Sequence, residues 1–514
     1  MPVLDYSALN PDFLVISPEL IVVLTSIVVI MVDLFTRGRS NKTQLLAVVS
    51  IAGYTLAGIM CLLLFNNNAG FLDTFPKEGF SRMMVVDNLG LFLRLLSLGT
   101  AIIAVLLSTQ FIRERGMALG EYYAILALAT CGMMVTASAV DLTTIFVGIE
   151  LSSIAVYILT GFQRTSKLSN EAAVKYFLLG IFSTAILVYG MAWLYGMTGH
   201  TNLREIGKVV GAVQSTGSGI TANGGLMLAM LLLIAGLGFK IAAVPFHMWT
   251  PDAYQGAPTP ITAFMSVGPK AAGFAATIRI MTEALGPAWQ QWVPVMIVLS
   301  IMTMTLGNVV AVAQRSLKRM LAYSSIAHTG YMIVGLAAYT QASHTEAISS
   351  ILFYLFSYMF MNMGAFGVIV WIQRHGVSDN LESFRGLSTW APGPAALMTF
   401  FLLSLTGIPP TIGFLGKYYV FVAALKSSSD LTWLVVIAVL NSAISAFFYL
   451  RVIWYMYFEE PKVVRQQRSS PAIIFTLTAS AIALVLFFVL AGPILDATRT
   501  AMPTVVAMLA RGGK

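Results

Sequence analysis

Charged residues are scarce in this sequence, which has 514 residues of which 10% are charged and 58% are hydrophobic. Soluble proteins normally carry about 25% charged residues, so this composition excludes an ordinary soluble domain. No polar stretch is long enough to fold as a separate soluble unit. The sequence therefore predicts a single membrane domain covering residues 1–514.

Cysteine is nearly absent, and the two cysteines, Cys61 and Cys131, each stand alone inside an apolar stretch. The sequence has no CxxC motif or Cys/His cluster that could hold an iron–sulfur cluster or zinc. We therefore expect no cofactor, redox centre or metal on this chain. Residues 1–16 contain no Lys or Arg, so they lack the basic start of a signal peptide, and we expect the N-terminus to be retained.

Apolar stretches of the roughly 20 residues needed to cross a bilayer recur along the whole chain. They are continuously apolar and lack the alternation of barrel strands, which predicts an all-α polytopic membrane protein. We place fourteen spans at 17–36, 44–65, 88–110, 121–140, 141–163, 170–197, 225–250, 259–284, 288–313, 318–340, 345–373, 391–425, 431–458 and 471–495.

Basic residues are distributed unevenly between the two sets of loops. The richer set comprises residues 37–42, 113–115, 164–167, 315–319, 374–385 and 462–468. Cytoplasmic loops carry the excess of Lys and Arg, so we expect both termini to lie outside. The formal net charge of +8 thus describes topology, and we do not expect nucleic-acid binding.

Several basic residues fall inside or near the predicted spans. Snorkelling to the headgroups, or a structural partner, accounts for Arg94, Arg279 and Arg451, which lie near span ends. We accordingly expect an Arg279→Ala variant to be nearly silent. Lys240 lies about 20 Å into its span, too deep for snorkelling. A functional role is therefore predicted for Lys240.

Three further lysines share this unusual placement. Lys270 lies near mid-depth of span eight, Lys417 follows the helix-breaking motif GIPP, and Lys175 lies a little over one turn into span six. The carboxylate Glu150, in DLTTIFVGIELSSIAVYILTGF, is apolar on both sides. Its charged form requires a nearby cation, either Lys175 or Lys240. A purely structural Glu–Lys pair between two helices is the alternative to a functional one.

Two spans contain helix breakers beside a lysine. Pro245 interrupts span seven next to Lys240, and Pro409 and Pro410 interrupt span twelve next to Lys417. Non-helical backbone at membrane depth needs protein or water around it, so we expect hydration near Lys240 and His247. Matching broken spans indicate inverted repeats. We propose spans four to eight (121–284) and nine to thirteen (288–458).

Four stretches carry a family resemblance: EAAVKYFLLGIFSTAILVYGMAWLYGMTG (171–199), HMWTPDAYQGAPTPITAFMSVGPKAAGFA (247–275), LKRMLAYSSIAHTGYMIVGL (317–336) and SLTGIPPTIGFLGKYYVF (404–421). They resemble subunit N of bacterial NADH:quinone oxidoreductase, an antiporter-like membrane subunit of respiratory complex I. The resemblance covers about residues 17 to 495. Pro269, directly before Lys270, leaves the depth of that lysine open.

The resemblance implies a proton-pumping subunit without its own redox centre. It places a proton relay at Glu150, Lys175, Lys240, Lys270, His328 and Lys417, with His247 as possible support. It also implies NADH, FMN, iron–sulfur clusters and quinone on other subunits, and as partners the other membrane-arm and peripheral-arm subunits, lipids and protons. The alternatives are a Na⁺/H⁺ antiporter, a purely structural membrane subunit and a solute carrier.

Overall fold

The computed structural model describes residues 11–36, 41–65, 78–117, 119–215, 223–340, 343–427, 430–461 and 471–501. The regular structure of these residues is helical apart from one hairpin of two short strands, β1 (Glu78–Gly79) and β2 (Met84–Val85). The helices are α1 Pro11–Val15, α2 Ser17–Phe35, α3 Lys42–Phe65, α4 Asn88–Glu114, α5 Leu119–Ser138, α6 Leu142–Thr160, α7 Lys167–Thr198, α8 Leu203–Ser215, α9 Gly224–Lys240, α10 Trp249–Gly256, α11 Thr259–Arg279, α12 Trp289–Val312, α13 Leu317–Ala337, α14 His344–Arg374, α15 Leu387–Trp390, α16 Pro392–Thr406, α17 Ile412–Lys426, α18 Thr432–Phe458, α19 Pro471–Val489 and α20 Ala491–Thr500.

Each predicted span coincides with a helix or a pair of helices. Within the described ranges, ten helices are long and apolar enough to cross a bilayer, and α9 and α16 are shorter apolar helices. The all-α membrane fold is therefore confirmed, and the number of fourteen crossings stays a prediction. The termini, residues 1–10 and 502–514, and the basic loop segments 37–40 and 462–470 lie outside the described residues. The predicted side of the membrane for the two termini therefore stays a prediction.

Both predicted helix breaks are present. Span seven is divided into α9 and α10, and Pro245 lies between them; span twelve is divided into α16 and α17, with Pro409 and Pro410 between them. Gly407 ends α16 in the left-handed region at φ 91°, a conformation that favours glycine. The broken spans therefore arise from residues that cannot continue a helix.

Helices α11 and α13 form the interior of the bundle. Nearly all their residues are buried, whereas α2, α7 and α18 expose rows of large apolar side chains such as Leu24, Phe182 and Phe447. An exposed apolar face of this kind suits lipid or another membrane subunit. The polar residues of α11 and α13 are thus kept away from lipid.

Two helical hairpins of the bundle are built alike. A Cβ added at Gly132 of α5 would lie 2.5 Å from the backbone N of Ser152 on α6. A Cβ added at Gly307 of α12 would lie 2.6 Å from the backbone N of Ala327 on α13. Glycine therefore permits close backbone packing at matching places in the α5–α6 and α12–α13 hairpins.

The second helix of each hairpin is tied to a later loop by the same pair of backbone bonds. Leu142 N–H donates to Thr201 O at 2.9 Å, and Leu203 N–H donates to Val140 O at 2.9 Å. In the other half, Leu317 N–H donates to Asp379 O at 2.7 Å, and Leu381 N–H donates to Arg315 O at 2.8 Å. The residues that begin α6 and α13 thus occupy equivalent positions.

Candidate functional site

A buried ion pair joins α6 to the end of α9. Lys240 Nζ lies 2.9 Å from Glu150 Oε1, and it also donates to Ser153 Oγ at 3.1 Å and Thr184 Oγ1 at 3.3 Å. The Thr184 hydroxyl donates to the same Glu150 oxygen at 2.7 Å. The Lys240 and Glu150 side chains are 7% and 18% exposed, so both charges are held largely out of solvent and satisfied by each other.

A small cavity of about 20 Å³ adjoins this pair. It is lined by Lys240, Ser152 and Tyr176, and by Pro269 and Gly273 of α11. A space of about 10–15 Å³ suffices for one water molecule when polar partners are present. The Ser152 hydroxyl lines this space and has no hydrogen-bond partner among the described residues. The cavity thus offers a water position between Lys240 and α11.

The break after α9 leaves backbone groups that neighbouring side chains satisfy. Trp249 Nε1 donates to Phe239 O at 3.0 Å, and Thr329 Oγ1 donates to Ile241 O at 2.9 Å. Thr303 Oγ1 accepts from the Val244 N–H at 3.0 Å. The broken span is therefore stabilised by protein contacts, as membrane depth requires.

Lys270 is fully buried on α11 and points to α13. Its Nζ donates to the Ser325 carbonyl at 2.7 Å, to Ser325 Oγ at 2.6 Å and to Thr329 Oγ1 at 3.1 Å. Pro269 does not interrupt α11, which runs from Thr259 to Arg279. Thr329 contacts both Ile241 O at the α9 break and Lys270, so it bridges the neighbourhoods of Lys240 and Lys270.

His328 lies on α13 between Ser325 and Thr329, and its ring is surrounded by tyrosines. Its Nδ1 is 2.7 Å from the Tyr354 hydroxyl and its Nε2 is 3.2 Å from the Tyr449 hydroxyl. The Tyr358 ring lies 5.2 Å from the His328 ring, and its hydroxyl donates to Ser325 Oγ at 2.7 Å. Tyr358 therefore connects His328 to the serine that binds Lys270.

Lys417 occupies the second broken span. Its Nζ donates to Thr406 O, at the end of α16, and to Ser442 Oγ of α18, both at 2.8 Å. It also lies 5.0 Å above the Tyr331 ring, which in turn packs 5.9 Å from the His328 ring. A cation at a helix C-terminus is favoured by the helix dipole. The Lys417 ammonium thus has neutral oxygens and an aromatic face as partners.

Two of the predicted relay residues lie apart from this group. Lys175 is 48% exposed and pairs with Glu171 at 2.7 Å and Asp252 at 3.1 Å. Of the two predicted partners for Glu150, the structure selects Lys240. His247 is half-buried in the α9–α10 break and does not line the cavity beside Lys240. The structure therefore does not bring Lys175 or His247 to the ion pair.

Of the two roles expected for Arg94 and Arg279, snorkelling is wrong and a structural partner is found, because both arginines are fully buried in ion pairs. Arg94 Nη2 lies 2.7 Å from Glu19 Oε1, and Arg279 Nη2 lies 2.7 Å from Asp87 Oδ1. Glu283 Oε1 also lies 2.9 Å from Arg279 Nη1.

Sequence reasoning singled out only Glu150 as a carboxylate within the membrane. Two more carboxylates could have been found in the same way, because Glu19 and Glu283 lie inside the predicted spans 17–36 and 259–284. Arg451 differs from Arg94 and Arg279, because its guanidinium donates to Val312 O and Gln314 O near a helix end. It is thus a structural partner at a span end, one of the two roles expected for it.

Comparison with known proteins places the chain in one family. Residues 139–445 match the family model described as "NADH:quinone oxidoreductase/Mrp antiporter, TM". The matched segment includes every residue described above from Glu150 to Ser442.

Relatives and solved structures agree with this match. NADH-quinone oxidoreductase subunit N of Trichlorobacter lovleyi is 49% identical over 383 residues, covering 74% of this chain and 76% of that protein. Subunit N 2 of Rhizobium meliloti is 41% identical over 444 residues, covering 86% of this chain and 88% of that protein. A chain of respiratory complex I from Thermus thermophilus with bound aureothin is 30% identical, covers 94% of this chain and 99% of its own length, and superposes with a TM-score of 0.75.

The Mrp complex from Dietzia sp. DQ12-45-1b contains a chain with the same fold at 19% identity, a TM-score of 0.80 and 96% coverage of both chains. At that identity the likeness concerns the fold alone. The chain is a multi-pass membrane protein of the family that comprises membrane subunits of NADH:quinone oxidoreductases and Mrp antiporters. Within that family it belongs with subunit N of the oxidoreductases.

Proposed function

We propose that this chain is a proton-translocating subunit in the membrane arm of an NADH:quinone oxidoreductase. The observation that carries the proposal is the row of buried ionisable groups from the Glu150–Lys240 pair through Lys270 and His328 to Lys417. Hydroxyl groups and one water-sized cavity connect the first part of this row, and the Tyr331 ring lies between His328 and Lys417. Lipid-facing side chains could not exchange protons in this way. The row supports proton transfer through the interior of the bundle.

Glu150 acts as the switch in this proposal. Burial disfavours a charged lysine, and a carboxylate 2.9 Å away favours it, so Lys240 keeps its proton while the pair is closed. When charge movement elsewhere in the complex draws Glu150 away, Lys240 gives its proton to water in the adjoining cavity, and the water gives one to Lys270. The proton then moves by way of His328 to Lys417 and leaves the protein.

Lys175 takes a peripheral part in this proposal. It forms a charged cluster with Asp252 and Arg319, beside an open cavity of about 210 Å³ at the start of α7. Such a cluster suits proton supply from solvent toward the bundle. His247, in the break beside Lys240, is proposed only as support for that lysine.

The two halves, residues 121–284 and 288–458, are proposed to be inverted repeats. The matching backbone bonds at Leu142 and Leu317 and the matching glycines Gly132 and Gly307 support one common register. Each proposed copy has five spans, an odd number, so the second copy is inverted with respect to the first. We further propose a bacterial inner membrane location with both termini on the periplasmic side, from the distribution of basic loop residues.

The driving energy is proposed to come from quinone reduction on other subunits of the complex. NADH, FMN, iron–sulfur clusters and quinone would bind those subunits, and the charges buried in this chain would receive the signal from its membrane-arm neighbours. This chain would then contribute translocation without local redox chemistry. Autonomous Na⁺/H⁺ exchange is the rival function, and exchange by the reconstituted chain alone would support it.

The test is a Lys240→Ala variant of the assembled enzyme in sealed vesicles. We expect the complex to assemble and proton pumping per quinone reduced to fall about tenfold or more, because a group that passes the proton is lost. Lys167→Ala is the matched control, since Lys167 is an exposed lysine at the start of α7. Pumping by Lys240→Ala at the level of the control would refute the proposal.

A further inference from the structure

Arg279 and Arg451 occupy equivalent positions in the two halves. Arg279 Nε donates to Ala137 O at the end of α5, at 2.8 Å, and Arg451 Nη1 donates to Val312 O at the end of α12, at 2.7 Å. Ala137 and Val312 are separated by the same number of residues as the equivalent pair Leu142 and Leu317. The two arginines therefore cap the same helix end in each copy.

In the first half, the space beside this arginine is filled by the chain itself. Asp87 binds the Arg279 guanidinium with both carboxylate oxygens, at 2.7 and 3.0 Å. The segment before Asp87 pairs with the backbone that follows α5, because Met83 O accepts from the Val140 N–H at 2.9 Å and Met84 forms a bridge with Ala139. An extended segment ending in a carboxylate thus completes the first site.

In the second half, no described segment of the chain fills the equivalent space. A cavity of about 710 Å³ lies there, lined among others by Gln314, Arg315, Asn380, Arg451 and Tyr455. We call it the Arg451 cavity. No carboxylate among the described residues forms an ion pair with Arg451, whose Nε is buried without a partner in the same part of the chain. Tyr455 follows Arg451 at the spacing at which Glu283 follows Arg279.

The backbone beside the Arg451 cavity also lacks the strand that the first half has. Arg315 is the equivalent of Val140, because each accepts a backbone bond from the later loop, from Leu381 and Leu203 respectively. Val140 N–H is bound by Met83 O, whereas no backbone carbonyl in the described ranges accepts from the Arg315 N–H. Among the described residues, the Arg315 N–H is not bound by a backbone carbonyl and the Arg451 Nε has no partner, and both residues line the same cavity.

We propose that the Arg451 cavity binds an extended, acidic segment of a neighbouring subunit. Its carboxylate would bind Arg451 as Asp87 binds Arg279, and a backbone carbonyl would accept from the Arg315 N–H as Met83 does from Val140. The chain's own segment 462–470, which follows α18, contains Lys462, Arg465 and Arg468 and no Asp or Glu, so it cannot supply the carboxylate. This proposal rests on membership in a multisubunit complex and is independent of the proton relay.

The experiment uses the assembled complex in native membranes, with benzoylphenylalanine introduced in place of Ala313, an exposed residue that lines the cavity. Irradiation should cross-link this position to an Asp- or Glu-containing segment of another subunit, identified by mass spectrometry. Combining the label with Arg451→Glu should lower the cross-link yield about tenfold, and Arg451→Lys should retain most of it, because a close charge pair is reversed in one case and kept in the other.

Three results would overturn the proposal: cross-links to lipid alone, cross-links only to residues 462–470 of the same chain, or a yield that Arg451→Glu does not change. If Arg451→Glu fails to assemble, the label in the chain with Arg451 intact still decides which molecule occupies the cavity. Loss of pumping is not a readout here, so failure of the docking proposal and failure of the relay are distinguishable.

Discussion

Equivalent positions in the two halves of the bundle, Glu150 and Ser325, offer a buried lysine different partners. Glu150 follows Asp141 on α6 at the spacing at which Ser325 follows Ser316 on α13, and Asp141 and Ser316 are the N-caps of the two helices. Glu150 offers Lys240 a charge, whereas Ser325 offers Lys270 only neutral oxygens.

The difference concerns what a buried ammonium costs. An ion pair at 2.9 Å favours the protonated lysine, while a serine hydroxyl and carbonyl compensate for burial less completely. The Glu150 position therefore suits holding a proton on its lysine, and the Ser325 position suits passing one on. The same backbone design can serve both tasks because a single side chain, carboxylate or hydroxyl, sets the preference.

The largest expected effect comes from removing the charge that distinguishes the halves. Glu150→Gln should abolish most coupled proton pumping in sealed vesicles while the subunit still assembles, because Lys240 would then be buried without a counter-ion and lose its proton. Glu205→Gln is the matched control, as Glu205 is a carboxylate of the solvent-facing helix α8 that pairs with Lys208. Wild-type pumping by Glu150→Gln would contradict the assignment of the switch.

A second comparison concerns the two equivalent arginines. The expectation from sequence that Arg279→Ala is nearly silent is revised, because Asp87 and Glu283 would be left buried without their cation. Breaking a buried pair costs about 3–5 kcal/mol. Arg451→Ala, which loses hydrogen bonds to two carbonyls beside an open cavity, should cost about 1–3 kcal/mol.

The measurement for the arginines is the temperature at which each purified variant complex releases this subunit. Arg279→Ala should release it at a lower temperature than Arg451→Ala, and both should do so below the unaltered complex. Equal temperatures for the two variants would show that the carboxylates around Arg279 do not add to its stabilising effect.

Helix positions and breaks could be read from the sequence because their causes are local. Apolar length places the spans, and Pro245, Pro409 and Pro410 lie between helices as proline favours, although Pro269 lies inside the unbroken α11. The choice of partner is not local. From the sequence, Lys175 and Lys240 are both candidate partners for Glu150. The packing of α6, α7 and α9 places Lys240 against Glu150 and Lys175 against Asp252.

The buried carboxylates Glu19 and Asp87 also have partners that the sequence could not identify. Each lies near the start of a helix, where a sequence pattern typical of an N-terminal cap or first turn accounts for it. Only the tertiary fold brings Arg94 and Arg279 against them. The sequence could therefore single out Glu150, Lys240 and Lys270 by their depth, but it did not reveal the ion pairs of Glu19 and Asp87, and it also selected Lys175, which is 48% exposed.

The smallest expected effect tests the neutral side of the comparison. Ser325→Ala removes one acceptor from Lys270 and the acceptor of the Tyr358 hydroxyl, and it keeps the residue-325 carbonyl and Thr329. The bond lost at Lys270 is worth about 1 kcal/mol, so pumping should slow about fivefold or more. Ser300→Ala is the matched control, because Ser300 is a buried serine of α12 bonded to its own helix at Ile297 O. Pumping rates are compared in vesicles at equal enzyme content. If both serine variants slow pumping equally, Ser325 acts only through packing. If Ser325→Glu pumps faster than wild type, a carboxylate beside Lys270 does not hold its proton, and the division of tasks between the Glu150 and Ser325 positions fails.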